Sequence, residues 1–275
     1  FTGKLRFVDF ADEFGKPMDC FDVVKRYFKL PNFYKTLEYV YKRLISGKNK
    51  EPIREAVKLV NIKSKFKIEF ESRSFLFKDR LYWEKYGITK NNLIVDKVFA
   101  VQKYKLLNTK KGDVISRCYD IGYAYTEFKD SKKKLYFPYR EGKLKFVTSC
   151  TKNDVGGIKH LPPFGKQLII TKSYKDYRVL LNNGKNVIWF QNEGMIPKGE
   201  ILFDLLERFK KVTVFFDNDA TGIKASIEVT NIINSLYPNK ARAIHLPEYL
   251  LKKKISDPSD MIHIKGKKSL LGFFS

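Results

Sequence analysis

From residue 166 onwards, short apolar runs alternate with segments whose apolar residues recur at helical spacing. The runs at 167–171, 187–190, 212–216 and 241–246 predict strands, of which 167–171 is predicted to be buried and 212–216 to be buried on both faces. Helical segments separate them, and the one after Gly222 places Ile223, Ile227 and Ile233 on its predicted inner side before it ends at Pro238. This β-α-β-α-β-α-β order predicts an α/β domain over 166–275, with a four-stranded, mainly parallel sheet and flanking helices.

The part of the chain before residue 166 has a different pattern. Residues 114–150 favour antiparallel β structure with a turn at Glu141-Gly142, and a helix that follows Arg80 is closed by Gly87. We therefore expect an α+β, basic subdomain over 51–165. Residues 1–50 predict a short strand at 5–10, a helix capped by Asp19, a second helix over 33–44 and a polar linker at 46–50.

Two carboxylates directly follow the apolar run at 212–216. Asp217 and Asp219 lie two residues apart at the predicted carboxyl end of a parallel strand, where ligands gather in such sheets. Oxygen ligands of this kind suit Mg²⁺. In the alternative interpretation Asp219 caps the following helix and Asp217 is a solvated turn residue.

The chain of 275 residues carries a net charge of +24, from 54 Lys and Arg against 30 Asp and Glu. Such an excess on an aromatic-rich chain indicates a polyanionic partner, although a compositional bias of the source genome is the alternative. Between 132 and 146, basic residues interleave with aromatic ones, a pattern that suits a phosphate backbone and stacked bases. The alternative is an ordinary sheet with a solvated lysine face.

Other features exclude several classes of protein. No run of 18 apolar residues or basic amphipathic helix is present, so we expect no membrane association. The three cysteines form no CxxC motif and pair with no histidine at zinc spacing, which indicates reduced thiols and no zinc site here. The chain does not begin with Met, so we expect a fragment or a processed product of an intracellular protein.

Several stretches resemble a known family. LIITKSYKD, FFDNDATG and SDPSD are similar to the motifs of a Toprim domain, the metal-binding fold of DnaG-type primases and of type IA and II topoisomerases. RLYWEKYGIT and LYFPYREGKLKFVTS resemble the basic half of the primase RNA polymerase domain, and LRFVDFADEFGKPMDCFDVVKRYF resembles the tail of the preceding zinc-binding domain. The order of these pieces resembles a phage-type primase, with residues 1–50 as the zinc-domain tail and helical linker.

The resemblance implies roles for individual acidic residues. Asp217 and Asp219 match the metal-binding aspartates, Asp257 the first acid of the terminal motif, and Asp176 the acid that closes the first motif. Asp260 follows Ser259, which stands where the terminal motif usually has its second acid. The resemblance thus implies a site for Mg²⁺ or Mn²⁺.

Lys172 departs from the family, which usually has Glu at this position. A charged lysine is neither a metal ligand nor a base. Glu193 is one candidate to supply the missing carboxylate from a neighbouring strand end. Alternatively, Lys172 binds nucleotide phosphate as a point charge, or the site has lost catalysis.

The resemblance implies a DNA primase, a nucleotidyltransferase that makes RNA primers from NTPs on single-stranded DNA. A replicative helicase is then an expected partner, and zinc would belong to a preceding domain only. The expected location is intracellular, in the bacterial (host) cytoplasm if the source is a phage or a bacterium. We expect template or nucleotide contacts from five basic residues: Lys134, Arg140, Lys143, Lys145 and Lys175. A metal-dependent nuclease on the same Toprim frame and a non-catalytic single-strand-binding module are the alternatives.

Overall fold

The structure is a computed structural model, and it describes residues 20–40, 66–109, 112–118, 120–192, 194–197, 200–266 and 269. The chain divides into two compact units. One comprises Phe1–Ile62 with Ser235–Pro238, and the other comprises Lys63–Asn234 with Asn239–Ser275.

Of the first unit, the described residues form helices α1 (Cys20–Tyr27) and α2 (Phe33–Val40). The rings of Phe28 and Tyr39 pack with their centroids 4.5 Å apart and so join the ends of the two helices. Both predicted helices are confirmed within 20–40. The predicted strand at 5–10, the linker at 46–50 and the end of the second predicted helix lie outside the described residues.

The first half of the larger unit is an antiparallel sheet, as the sequence predicts for 114–150. Its described strands are β1 (Lys67–Arg73), β2 (Val98–Thr109), β3 (Gly112–Arg117), β4 (Tyr123–Tyr125), β5 (Lys134–Tyr136) and β6 (Phe146–Thr148). They run in the order β1-β2-β4-β5-β6, and β3 pairs with the far end of β2. Helices α3 (Phe77–Glu84) and α4 (Lys90–Val95) connect β1 to β2. After α3, Gly87 has a φ of +69°, the left-handed conformation that glycine adopts readily.

The second half is the predicted parallel sheet with helices, and the described residues include all four predicted strands. The strands are β7 (Gly165–Thr171), β8 (Val187–Trp189), β9 (Phe209–Val214) and β10 (Ala241–Ala243), in the order β10-β9-β7-β8. The helices are α5 (Tyr174–Asn182), α6 (Glu200–Arg208), α7 (Ala220–Leu236), α8 (Glu248–Leu251) and α9 (Pro258–Lys265). β9 begins before the predicted run, because Phe209 and Lys211 already pair with β7. The apolar pattern does not detect this start, since Lys210 and Lys211 are exposed.

The inner face of α7 differs from the predicted one. Ile233 is buried, but Ile227 is 46% exposed. The buried stripe instead comprises Gly222, Ala225, Ser226, Val229 and Ile233. Small residues allow the first turns of α7 to approach the strand end closely, and a search for apolar residues alone does not detect them.

An aromatic core joins the two sheets. The ring of Tyr125 on β4 lies 4.8 Å from that of Tyr174 on α5 and 5.7 Å from that of Trp189 on β8. Tyr174 donates a hydrogen bond to Asp96, and this carboxylate also contacts Arg178. These contacts fix β4 and the end of α4 against α5 and β8. Within the described residues, we find no helix with the length and apolar character that a bilayer crossing requires.

Candidate functional site

A cavity of about 380 Å³ opens where the parallel strands end. Lys172 follows β7, Gln191 lies just beyond β8, and Asp217 lies beyond β9, so that three strand ends contribute to its lining. Side chains of β4, β5 and β6 also line it. The carboxyl ends of parallel strands are the expected place for a ligand in this kind of sheet.

Asp176, Asp217 and Asp257 form an acidic triad at this edge. Each offers a carboxylate oxygen, and these oxygens lie within 4.8 Å of one another. Asp176 belongs to the first turn of α5, and Asp257 is the N-cap residue of α9. The Ser259 amide donates a hydrogen bond of 3.1 Å to Asp176 Oδ1, which ties α9 to α5 and brings the two carboxylates together.

The triad is a crowded group of like charges. Burial, followed by the Asp257 and Asp217 carboxylates, raises the pKa of Asp176 well above its usual value. Burial and the neighbouring carboxylates therefore disfavour the charged form of Asp176. Carboxylate oxygens at this spacing are the donor set of a hard divalent cation, whose charge would reverse that preference.

The lysines of the cavity balance this negative charge. The Lys172 Nζ lies 2.8 Å from the Asp217 Oδ2. Burial by itself would lower the pKa of Lys175, but the carboxylate of Asp257 and the neighbouring tyrosines raise it above its usual value. The Lys175 Nζ also lies 4.4 Å from the centroid of the Tyr86 ring. Both lysines therefore carry their charge into the site.

Two of the predicted acidic ligands have other contacts. Asp219 is exposed, and its Oδ1 accepts a hydrogen bond of 2.7 Å from the Gly222 amide in the first turn of α7. Asp260 accepts hydrogen bonds from the amide and the hydroxyl of Ser256. Among the described residues, neither belongs to the acidic triad. The helix-capping alternative for Asp219 thus agrees with its geometry.

Some of the predicted basic residues lie at the cavity. Lys134 and Lys145 line the cavity. Lys134 is buried, donates a hydrogen bond of 2.6 Å to the Gln191 carbonyl, and lies against the rings of Phe146 and Trp189. Its long side chain thus carries a positive charge between aromatic faces.

Arg140 has a different position. It contacts both carboxylate oxygens of Asp120, at 3.1 and 3.2 Å, and its guanidinium stacks over the Phe137 ring. It is not among the described residues that line the cavity. The side chain of Lys143 and the whole of Glu193 lie outside what the structure describes, so their predicted roles stay predictions.

The cavity also has lining residues that the sequence analysis did not identify. Gln191 and Asn192 lie just beyond β8, and Thr148 ends β6. Gln191 donates from its amide nitrogen to the Asp154 carbonyl. The rule that identified Asp217, a polar residue at the end of a buried strand, also applies to Gln191 after the run at 187–190.

Comparisons with known proteins bear on the fold. No protein-family model matches the sequence, and no curated protein matches it. The structure is similar to that of the Aquifex aeolicus primase, zinc-binding and RNA polymerase domains, with a TM-score of 0.52 and 15% identity over 93% of this chain and 70% of that one. It is also similar to the Escherichia coli primase catalytic core, with a TM-score of 0.51 and 13% identity over 70% of this chain and 71% of that one.

Identities this low establish a shared fold and nothing finer. The family resemblance drawn from the motifs is confirmed at that level. The chain therefore has the fold of the catalytic core of DnaG-type primases.

Proposed function

We propose that the protein is a DNA primase that joins ribonucleotides on a single-stranded DNA template. The observation that carries this proposal is the acidic triad at the carboxyl edge of the parallel sheet, which lines a cavity of about 380 Å³ together with lysines and aromatic rings. Carboxylates that can hold a divalent cation and lysines that can neutralise phosphate thus lie in one cavity, which suits a nucleoside triphosphate bound with a metal ion. The primase-core fold supports this interpretation.

Primer synthesis joins a 3′-hydroxyl to the α-phosphorus of a nucleoside triphosphate. Asp217 and Asp257, with Asp176, would hold Mg²⁺ or Mn²⁺. Such a cation supplies charge stabilisation and alignment during phosphoryl transfer. Asp219 and Asp260 would then act indirectly, since each holds a backbone segment beside the triad through its hydrogen bonds.

The other side of the cavity would receive the substrates. Lys134, Lys145, Lys172 and Lys175 would neutralise the triphosphate, and Phe146, whose side chain is exposed, would offer an apolar face to a base. The single-stranded template would follow the basic half of the chain, residues 80–150, where Arg140 and Lys143 are further candidates. We assign the Toprim domain to 166–275 and the basic subdomain to 51–165, and we infer a replicative helicase as a partner.

Asp217→Asn tests the proposal directly. The full chain is incubated with single-stranded DNA, labelled NTPs and Mg²⁺ or Mn²⁺, and the RNA products are measured. We expect short, template-dependent products that disappear with a chelator and fall by at least about a hundredfold in Asp217→Asn, because a ligand to the transition-state charge is lost.

Asp204→Asn is the matched control, since Asp204 is exposed on α6 and pairs with Arg208 there. It should retain wild-type primer yield. Cleavage of the template without synthesis would indicate the nuclease instead, and binding without either reaction would indicate a single-strand-binding module. Wild-type yield from Asp217→Asn would contradict the assignment of the site.

A further inference from the structure

The ion pair between Lys172 and Asp217 lies inside the proposed metal site. Lys172 directly follows β7, and Asp217 follows the neighbouring strand β9. The distance between Nζ and Oδ2 is 2.8 Å, and the side chains are 16% and 24% exposed. A protonated amine therefore sits on a carboxylate that belongs to the acidic triad.

An ammonium and a divalent cation compete at such a carboxylate. Lysine donates hydrogen bonds and has no lone pair for a metal while it is protonated. A metal ion on Asp217 either takes the oxygen that accepts from Lys172 or lies a few ångströms from the ammonium. Like charges about 4 Å apart repel by several kcal/mol at the effective dielectric of a protein surface. The ion pair and the bound metal therefore oppose each other.

We propose that Lys172 is a built-in cation that holds Asp217 until a divalent metal ion displaces it, after which its ammonium contacts the triphosphate. This inference rests on the proposed metal site. On this proposal each ligand strengthens the binding of the other. The metal ion frees the Lys172 ammonium from Asp217, and the ammonium then binds the nucleotide phosphates. By linkage, bound nucleotide must strengthen metal binding by the same factor.

Lys134, another lysine of the cavity, differs from Lys172 in the groups that it contacts. Lys134 donates to the Gln191 carbonyl and lies between aromatic rings, and none of these groups belongs to the acidic triad. A metal at the triad can leave those contacts in place. The Lys172 contact, in contrast, uses an oxygen of the triad itself.

Binding of Mn²⁺ to the nucleotide-free full chain tests the competition, with electron paramagnetic resonance or calorimetry as the measurement. Lys172→Met should bind Mn²⁺ roughly ten- to a hundredfold more tightly than wild type, because a neighbouring positive charge is removed. Lys166→Met is the matched control, since Lys166 is exposed near the opposite end of β7 and loses the same charge. Its affinity for Mn²⁺ should equal that of wild type.

The outcomes separate the two proposals. Asp217→Asn should weaken Mn²⁺ binding, and equal binding by wild type and Asp217→Asn would overturn the metal site. If Asp217→Asn weakens binding but Lys172→Met binds no more tightly than wild type, the metal site stands and the built-in cation is overturned. Thermal unfolding of each variant verifies that it is folded.

Nucleotide binding tests the second part of the proposal, in which the released Lys172 contacts the triphosphate. The affinity for a non-hydrolysable ATP analogue is measured with and without Mn²⁺ in wild type, Lys172→Met and Lys166→Met. Mn²⁺ also binds the analogue in solution, so the comparison is between proteins. The factor by which Mn²⁺ increases the affinity for the analogue should be about tenfold smaller in Lys172→Met than in the other two proteins. A difference of this size is typical of coupling between sites. An equal strengthening in all three would overturn the release of Lys172 to the triphosphate.

Discussion

Asp79 illustrates how one buried carboxylate organises its surroundings. It is 0% exposed and accepts hydrogen bonds from the Arg73 guanidinium, the Leu76 amide and the Tyr123 hydroxyl. It thereby connects the end of β1, the start of α3 and β4. Burial alone would raise the pKa of Asp79, but these hydrogen bonds and the charge of Arg73 hold it below its ordinary value.

We expect Asp79→Asn to lower the free energy of unfolding by about 3–5 kcal/mol at neutral pH, because Arg73 is left without its buried counter-charge. Urea denaturation measures this change. Glu84→Gln is the control on the same helix, since Glu84 and Arg80 are both more than half exposed and 3.8 Å apart. It should change stability by less than about 1 kcal/mol.

The ion pair between Asp79 and Arg73 also makes the stability of the fold depend on pH, with a definite sign. A carboxyl group whose pKa is lowered in the folded state stabilises the fold above its unfolded pKa of about 3.9, and this stabilisation is lost as the pH falls through the folded value. Wild type should therefore lose stability below about pH 4 more steeply than Asp79→Asn. Parallel pH profiles for the two proteins would contradict this account of Asp79.

The position of the acidic triad depends on how elements end. The N-cap residues of α5 and α9 accept hydrogen bonds from the first turns of their helices, so each cap stabilises the amino end of its own helix. The amino end of a helix favours a negative charge. The strands supply Asp217, and the helices supply Asp176 and Asp257.

The packing of α7 against the end of β9 requires a small residue. A Cβ at Gly222 would lie 2.2 Å from the Asp217 carbonyl oxygen, a backbone atom. We expect Gly222→Ala to lower the free energy of unfolding by about 1–3 kcal/mol, as overpacking does, and to weaken Mn²⁺ binding because Asp217 is displaced.

Gly194→Ala is the control for this substitution. Within the described part of the chain, a Cβ there would meet Asn192 Oδ1 alone, at 3.7 Å, an ordinary contact. Urea denaturation and Mn²⁺ titration of both variants test the expectation. Unchanged stability and metal affinity in Gly222→Ala would mean that the close approach has no role.

The net charge of +24 belongs to the whole chain, and its consequence is measurable on single-stranded DNA. Lysines that contact phosphates release condensed counterions, so the logarithm of the binding constant should fall with the logarithm of salt concentration by about 0.7 for each phosphate contacted. A flat salt response would leave the charge as a compositional bias.

Lys145→Met should reduce that slope by about 0.7, because its side chain lines the cavity that faces the acidic triad. Lys210→Met removes the same charge from an exposed position on β9 and serves as the control. Fluorescence anisotropy of a labelled oligonucleotide across a salt series gives both slopes. Equal slopes for the two variants would place the template path elsewhere.

The order of strands and helices could be predicted from the sequence because it is encoded locally. Apolar runs and helical spacings lie within a few residues, so the four parallel strands and the antiparallel region at 114–150 were evident without a structure. Asp217 was identified for the same reason, since it directly follows a buried run. The buried face of α7 could not be predicted in this way, because Gly222 and Ser226 on that face are not apolar residues that a periodic pattern would detect.

The choice of partners required the tertiary structure. Asp176 meets the terminal motif through the amide of Ser259, 83 residues away. Asp219 turns to cap α7, Arg140 pairs with Asp120, and Lys172 pairs with Asp217. A residue's type states which contacts it can make, but distant segments decide which of them it does make, because only folding brings those segments within hydrogen-bonding distance.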